Sequence, residues 1–266
     1  MNGLETIKGA TGSLKNLNDL PQAQKERVYQ DLIPPLLFSD DRWRAPGCNA
    51  PSQRYVCPSG LGLVRIEVRR SPADKDCIFF MQAVDTPYGQ IELSLCIIND
   101  MDAQRFNIDS APNGRDNCLG TLKRNIPEEI RAMNAGLCPH QVRSGLGLFR
   151  EFFYRFEQFV GRLGVDTIIA EPLSYNNAIQ YEELGFRYIS GFQFMTWIDR
   201  EFQPEGVLAQ RLDNSTPFRR PEMSLSVRGR SWAIHDGILR QSWDGIKIFK
   251  TVGDVSTMST FPGHVW

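Results

Sequence analysis

Residues 143–164 read RSGLGLFREFFYRFEQFVGRLG, a glycine-bearing loop that leads directly into an amphipathic helix. Apolar side chains recur in this helix in steps of three and four, and they form one continuous stripe at Phe149, Phe152, Phe153, Phe156, Phe159, Val160 and Leu163. Gly164 is suited to end the helix, because glycine readily adopts the left-handed conformation of a helix C-terminus. The stretch therefore predicts a helix that buries one face.

Strand patterns precede this helix. Residues 61–70 alternate apolar and charged side chains, as a half-buried strand does, and β-rich runs follow at 77–85 and 91–98. Weaker strand patterns occupy 103–108 and 130–138, the latter ending at Pro139. The first half of the chain is therefore predicted to be antiparallel in character.

After this helix, short strand patterns alternate with a helical pattern. Residues 167–170 suit a short buried strand, a helix over 176–184 is closed by Gly185, and 186–197 is again strand-like. Strand, helix and strand in this order predict a parallel pair joined by a right-handed connection. The flanks are assigned a polar arm over 1–20, a helix over 21–33, an irregular connection over 40–59, a helix over 232–243 and a strand over 245–252.

Composition excludes several classes of protein. The 266 residues carry 30 Lys and Arg against 31 Asp and Glu, so a general nucleic-acid-binding surface is not expected. No apolar run is long enough to span a membrane, and the N-terminus lacks an apolar signal core. Six cysteines without a C-x-x-C pair, together with three histidines, argue against a structural zinc site. We therefore expect a cytoplasmic protein with reduced cysteines and no metal.

Two motifs can carry chemistry. The loop Gly145-Leu146-Gly147 precedes a helix N-terminus, where backbone N–H groups and the helix dipole favour a phosphate or pyrophosphate. The second motif, Tyr181-Glu-Glu-Leu-Gly185-Phe186, ends a predicted helix. Each motif also has an alternative interpretation without a function. The loop can be a tight turn that binds no ligand, and the tyrosine can be a half-buried residue of an ordinary helix. The loop also lacks the Gly-Lys-Ser/Thr of a P-loop and the third glycine of a dinucleotide site.

In this order the two motifs resemble those of the GNAT superfamily of N-acetyltransferases. That family carries Q/R-x-x-G-x-G/A between its fourth strand and third helix, and later a helix that ends in Tyr-x-x-x-Gly-Phe. The similarity covers residues 62–200, with its specific motifs at 137–147 and 174–186. It implies an α/β (α+β) fold with a mixed, mostly antiparallel sheet, a parallel pair splayed around an acyl-CoA cleft, and helices on both faces.

The resemblance also implies one elaborated domain. Residues 61–200 would form the acyltransferase core, and residues 1–60 would form an arm and a helix that pack on it. Residues 201–266 would complete the sheet and cover the cleft.

For function, the resemblance implies transfer of an acetyl or longer acyl group from acyl-CoA to a primary amine of a small molecule or peptide. The cofactor contacts are expected from Leu137, Cys138, Gln141, Val142, Arg143, Ser144, Gly145, Leu146, Gly147 and Asn177. Among them, the N–H groups of the glycine loop would hold the diphosphate. Leu137 and Cys138, at the end of the preceding strand, would bond the pantetheine arm.

The catalytic residues follow from the same resemblance. Tyr181 would protonate the departing thiolate, because a phenol with a pKa of about 10 is protonated at neutral pH. Glu129 and Glu171 are the candidates for the base that takes the proton of the acceptor amine. His235 is interpreted as structural or exposed, and a nucleophilic Cys138 assisted by His140 is the less favoured route, because no third group orients the pair.

Two alternatives remain open. Val142 occupies the position in which the family has Gln or Arg, which favours a catalytically degenerate acyl-CoA-binding or interaction protein, whereas Tyr181 favours an enzyme. A long-chain acyltransferase that uses an acyl carrier protein would need a basic docking patch, for which the arginines at 143, 150, 219 and 220 are available. Neither a nucleic acid nor a membrane is expected as a partner, and homodimer formation is left open.

Overall fold

The computed structural model describes residues 12–111, 114–117 and 123–266. These residues form a mixed α/β structure around a seven-stranded sheet with the order β1-β2-β3-β4-β5-β7-β6. The strands are β1 (Ser52–Val56), β2 (Leu63–Arg69), β3 (Phe79–Asp85), β4 (Ile91–Ile98), β5 (Thr167–Ala170), β6 (Arg187–Ser190) and β7 (Lys247–Thr251). Strands β1 to β4 pair antiparallel, and β4 pairs parallel with β5. A mixed, mostly antiparallel sheet with a parallel pair is thereby confirmed.

Strands β2, β3, β4, β5 and β7 lie where the sequence predicts strands, whereas β1 does not. The stretch 40–59 was predicted to be irregular, but β1 pairs with β2 from Ser52–Arg69 to Val56–Arg65. None of the five β1 side chains is fully buried. An edge strand of this kind lacks the apolar alternation by which strands are predicted, so the prediction for this segment was wrong.

Three short helices, α1 (Leu14–Asn18), α2 (Gln22–Gln30) and α3 (Leu36–Ser39), precede the sheet. Helix α2 confirms the predicted helix over 21–33. The side-chain amide of Asn18 donates to the carbonyl oxygens of Leu61 and Leu63 at 2.7 and 2.8 Å. The buried Lys25 ammonium donates to the carbonyl of Cys57 at 2.6 Å. Polar contacts therefore hold α1 and α2 against the connection between β1 and β2. The first eleven residues of the predicted arm lie outside the described residues.

Helix α5 (Phe149–Arg162) confirms the helix from which the fold was predicted. Its stripe is buried, with Phe152, Phe153, Phe156 and Phe159 each at most 3% exposed. The ring of Phe152 meets the ring of Phe79 on β3 edge-on at 5.3 Å. Gly164 follows the helix with φ +78°, and the N–H of Val165 donates to the carbonyl of Val160. The helix therefore ends in the left-handed cap that the glycine predicted.

Helix α4 (Ile126–Asn134) occupies most of the stretch 130–138, for which a strand was predicted. Pro127 and the acidic Glu128 and Glu129 lie in its first turn, and Gly136 with φ +84° follows its last turn. These are signals of a helix start and stop, and they outweigh the β-like composition of the run. Residues 103–108, also predicted as a strand, form none in the described chain.

Helix α7 (Phe192–Phe202) corrects the strand predicted over 186–197, of which only β6 is extended. Gly191 with φ +94° ends the strand, and the buried Met195, Ile198 and Phe202 recur at helical spacing. The predicted parallel pairing of 167–170 with 186–197 is also wrong, because β5 lies between β4 and β7. The strand that pairs parallel with β5 is β4.

The remaining helices are α6 (Tyr175–Glu182), α8 (Val207–Gln210) and α9 (Val227–His235), with 3₁₀ turns at Asp41–Trp43 and Pro221–Leu225. Helix α6 confirms the prediction for 176–184, and Gly185 follows it with φ +88°. Helix α9 begins and ends several residues before the predicted helix over 232–243. Among the described helices, none has the length and the apolar character needed to cross a membrane.

Close contacts divide the chain into two compact units. Unit 1 contains the described residues up to Asp102 together with Gly145–Ala170 and Phe249–Asp254. Unit 2 contains the described residues of Ala103–Ser144, Glu171–Ile248 and Val255–Trp266. Strands β1 to β5 and helix α5 thus belong to unit 1, and helices α4 and α6 to α9 belong to unit 2. The organisation as one elaborated domain with borders at 60 and 200 stays a prediction.

Candidate functional site

Strand β4 in unit 1 has an edge that its parallel neighbour leaves uncovered. The pairing of β4 with β5 consists of Ile91–Ile168 and Glu92–Ile169, and β5 ends at Ala170. Strand β4 continues for six residues beyond Glu92, and all of its last five residues are partly exposed although the strand lies inside the sheet. The N–H and C=O groups of an unpaired strand edge can pair with an added extended chain.

A β-bulge lies where the pairing with β5 stops. On the other side of β4, the pairing with β3 runs through Gln82–Leu95 and then shifts to Ala83–Leu93, so Ser94 has no partner residue on β3. A bulge bends its strand and increases the local twist, and bulges are frequent beside functional sites. Here the bulge lies two residues beyond the last pair of β4 with β5.

The glycine loop reaches the far end of this edge. A β-carbon added at position 145 would lie 3.1 Å from the carbonyl oxygen of Ile98, the last residue of β4. Gly147 has φ +71°, which disfavours any residue with a side chain. Both glycines are exposed. A side chain at 145 would be crowded by the carbonyl oxygen of Ile98, and one at 147 would strain the backbone.

The N-terminus of α5 follows this loop in the same unit. The N-cap residue of the helix is Leu148, whose own side chain makes no capping hydrogen bond. Within the described residues, the N–H groups of Gly145, Leu146 and Gly147 donate to no protein acceptor. Uncapped N–H groups and the positive end of the helix dipole together favour an anion. The loop, the start of α5 and the edge of β4 therefore form the candidate site of unit 1.

Leu137 and Cys138 do not end a strand, and this corrects the basis of their predicted role. They lie in the loop after α4, where the carbonyl of Leu137 accepts from Trp232 Nε1 at 2.8 Å. The N–H of Cys138 donates to Oε1 of Gln141 at 2.7 Å. Their backbone groups are thus engaged within unit 2, whereas the open strand edge belongs to β4. Their contact with an acyl-CoA stays a prediction.

The loop residues that precede Gly145 also bond within unit 2. The carbonyl of Val142 accepts from the N–H of Phe106 at 2.9 Å, and the Arg143 guanidinium donates to the carbonyl of Ala103. Ser144 is exposed. The part of the loop that is open to a ligand therefore begins at Ser144.

Burial argues against the nucleophilic route through Cys138. The side chain is 6% exposed, and burial raises the pKa of its thiol although Arg228 opposes this. The ring of His140 packs edge-on against His235 at 4.8 Å. A buried thiol with a raised pKa is a poor nucleophile because the reactive thiolate is scarce.

Tyr181 lies in the last turn of α6, in unit 2. It is 8% exposed, and its ring meets the ring of Phe186 at 4.8 Å. The N–H of Phe186 donates to the carbonyl of Tyr181 across the left-handed Gly185. Asn177, one turn earlier, accepts from the hydroxyl of the N-cap residue Ser174 at 2.6 Å. The spacing of the motif therefore reflects a helix end that fixes the tyrosine ring.

The two glutamates predicted as bases differ in burial and in their partners. Glu171 is exposed and pairs with Lys247 at 3.1 Å, which is a surface ion pair. Glu129 is 2% exposed, its Oε1 lies 3.1 Å from His235 Nε2, and its Oε2 accepts from Arg124 Nε at 2.9 Å. Burial alone raises the pKa of Glu129, but the hydrogen bonds from His235 and Arg124 outweigh it and hold the pKa below the usual 4.5.

The contact between His235 and Glu129 was not foreseen from the sequence. His235 lies 106 positions from Glu129 along the chain, so no local pattern links them. The buried carboxylate, itself held by Arg124, fixes the orientation of the imidazole, as acidic partners do in catalytic dyads. Arg124 also pairs with Asp236 at 2.8 Å. The ring of His140, a residue with the unusual φ of +68°, packs edge-on against the ring of His235. The structure thus assembles a Glu129–His235 dyad in unit 2.

Within residues 12–111, 114–117 and 123–266, no group of three or more His, Cys, Asp or Glu side chains is arranged to hold a metal ion. The cysteines of this part of the chain, Cys48, Cys57, Cys77, Cys96 and Cys138, are free thiols.

Comparisons with known proteins identify no family for this chain. No protein-family model matches the chain, and neither a curated protein nor a solved structure matches it.

Proposed function

We propose that the chain is an acyl-CoA-dependent N-acyltransferase of the kind that its motifs resemble. The observation that carries the proposal is the coincidence, within unit 1, of an open β4 edge, an exposed Gly145–Gly147 loop at the end of that edge, and the uncapped N-terminus of α5. An acyl-CoA has a matching order of groups: a diphosphate, an extended arm with two amides, and a thioester.

Each part of that ligand has a suitable partner. The diphosphate would accept from the N–H groups of Gly145, Leu146 and Gly147 at the start of α5. The pantetheine amides would pair with the edge of β4 over 93–98, as an added strand does. This replaces Leu137 and Cys138 by β4 as the source of the pantetheine contacts.

The chemical step needs an acid and a base. The acceptor amine attacks the thioester carbonyl, and collapse of the tetrahedral intermediate breaks the C–S bond and expels a thiolate. Tyr181 is the proposed acid for that thiolate. For the base we favour His235, because its Nε2 lies 3.1 Å from the buried Glu129 carboxylate, which orients the ring, whereas the hydrogen-bonded Glu129 has a lowered pKa and is itself a weak base.

The packing of α5 supports a short acyl group. The rings of Phe152, Phe153, Phe156 and Phe159 contact one another and Phe79, with centroids between 5.3 and 6.4 Å apart, so these phenylalanines serve as core. Two of the arginines available for a carrier-protein patch are already paired, Arg219 with Asp236 and Arg220 with Glu222. Both observations favour acetyl-CoA or a similarly short donor over a long-chain carrier substrate.

The binding half of the proposal is tested by Gly147→Asp. A carboxylate beside the diphosphate should weaken acetyl-CoA binding at least about 100-fold in isothermal titration calorimetry, since like charges at one site repel strongly. Gly89→Asp is the matched control, because Gly89 has nearly the same φ, +72°, and equally open surroundings in unit 1. Equal affinities of the two variants would remove the loop from the site.

The catalytic half is tested by Tyr181→Phe. Loss of the phenol proton should lower kcat by about 100-fold or more while acetyl-CoA binding stays within about twofold, as expected for a general acid. Turnover is measured as release of free CoA thiol with a panel of primary amines. An unchanged kcat would exclude the role of Tyr181. Acetyl-CoA binding by the wild-type chain without any turnover would support the non-catalytic binding protein instead.

A further inference from the structure

The C-terminal segment Val255–Trp266 lies against the last turn of α6. The N–H of Thr260 donates to Glu182 Oε2 at 2.9 Å, and its hydroxyl donates to Oε1 at 2.6 Å. His264 Nε2 lies 2.9 Å from Glu183 Oε1, and Trp266 Nε1 donates to the same oxygen at 2.9 Å. Glu182 and Glu183 directly follow Tyr181, so the segment contacts the turn that carries the proposed acid.

These two glutamates occupy an unfavourable place on the helix. The C-terminal end of a helix carries partial negative charge, which repels carboxylates. Glu182 is also 3% exposed, and burial raises its pKa although Thr260 and Tyr188 donate hydrogen bonds to it. The last turn of α6 is therefore weak on its own, and donors from the C-terminal segment compensate for the charges.

The segment is itself anchored at two further points in unit 2. The ring of Phe261 lies 3.4 Å from the guanidinium carbon of the buried Arg230, which also donates to the hydroxyl of Tyr175 at the first residue of α6. The carbonyl of Val265 accepts from the N–H of Val227, at the start of α9, at 2.8 Å. The segment thus contacts the last turn of α6 directly, is linked to the first residue of α6 through Arg230, and is hydrogen-bonded to α9.

We propose that the C-terminal segment is a positioning element for Tyr181, with Thr260 as its central positioning residue. By holding Glu182 and Glu183, it fixes the last turn of α6 and with it the direction of the phenol. This inference rests on the proposed function only for the role of the phenol. The clamping of the helix rests on the contacts themselves.

The test compares Thr260→Val, Thr260→Ser and Thr257→Val in the full-length chain. Thr260→Val removes the hydroxyl that bonds Glu182, Thr260→Ser keeps a hydroxyl, and Thr257 is an exposed threonine of the same segment. Loss of one buried hydrogen bond should raise amide hydrogen exchange over residues 178–186 by about fivefold in Thr260→Val alone.

Turnover gives the second readout. Misplacement of a reacting group by a fraction of an ångström lowers the rate of the chemical step, so kcat of Thr260→Val should fall about tenfold with KM for acetyl-CoA unchanged. Thr260→Ser should restore both exchange and kcat.

Two results would overturn the inference: unchanged exchange in Thr260→Val, or faster exchange with an unchanged kcat. Absence of turnover in the wild-type chain would instead refute the proposed function. The exchange comparison would then decide alone whether the segment clamps the turn that carries Tyr181.

Discussion

At the scale of single residues, the sequence predicted which glycines end helices, but it did not predict which side chains distant in sequence contact each other. Gly164 and Gly185 end their helices in the left-handed conformation, as their positions predicted. A glycine signals locally, because its φ and the close approach of neighbours depend on a few adjacent residues. The Glu129–His235 contact joins α4 to the end of α9 and depends on tertiary packing, so no spacing in the sequence could reveal it.

Glu129 leads to a prediction of pH-dependent stability. A carboxylate whose folded pKa is lowered contributes stability above its unfolded pKa of about 4.3, and that contribution is lost as the pH falls through the folded value. Glu129→Gln should therefore lower the free energy of unfolding by about 3 kcal/mol at pH 7, because it removes the buried carboxylate that accepts charge-assisted hydrogen bonds from Arg124, and by less at pH 4.

Urea unfolding at both pH values checks this prediction. Glu171→Gln is the control, since its exposed ion pair should contribute less than about 1 kcal/mol. A deficit in Glu129→Gln that is equally large at pH 4 and pH 7 would contradict the lowered pKa.

At the scale of elements, the periodicity of apolar residues predicted β2 to β5 and α5, because each of these buries one face or both. Periodicity missed β1, which is half-exposed on both faces, and misassigned α4 and α7, whose apolar residues are also rich in β-forming types. The start and stop signals around α4 determine its structure more strongly than the β-like composition of the run. For the candidate site, the prediction that Leu137 and Cys138 end a strand was wrong, because they follow helix α4, whereas the roles of these residues and of the glycine loop in binding stay predictions.

Helix α5 offers a matched pair of truncations. Phe156 is fully buried, and Tyr154, two positions earlier, is 62% exposed. Phe156→Ala should lower the free energy of unfolding by about 3–5 kcal/mol, because a large cavity would remain in the core.

Tyr154→Ala should change the same quantity by less than about 0.5 kcal/mol, as exposed positions usually do. Both substitutions create alanine in the same helix, so helix propensity does not separate them. Similar unfolding midpoints for the two variants in urea would show that the stripe is not core.

At the scale of the whole molecule, the mixed, mostly antiparallel sheet was what the resemblance implied, whereas the order of the strands was not predicted. The placement of β7 between β5 and β6 depends on contacts between segments far apart in the chain. The division into two compact units depends on such contacts as well. Local patterns specify which segments are strands, and tertiary packing decides which strands become neighbours.

The division into units has a consequence for how this chain can be cut or recombined. The backbone passes from one unit to the other five times, at 102/103, 144/145, 170/171, 248/249 and 254/255. Neither unit is encoded by one uninterrupted stretch, so a single truncation point delivers neither of them intact. Genetic exchange can transfer a unit as a cassette only when its coding segment is continuous. This chain is therefore expected to have been inherited, and to be best expressed, as one piece.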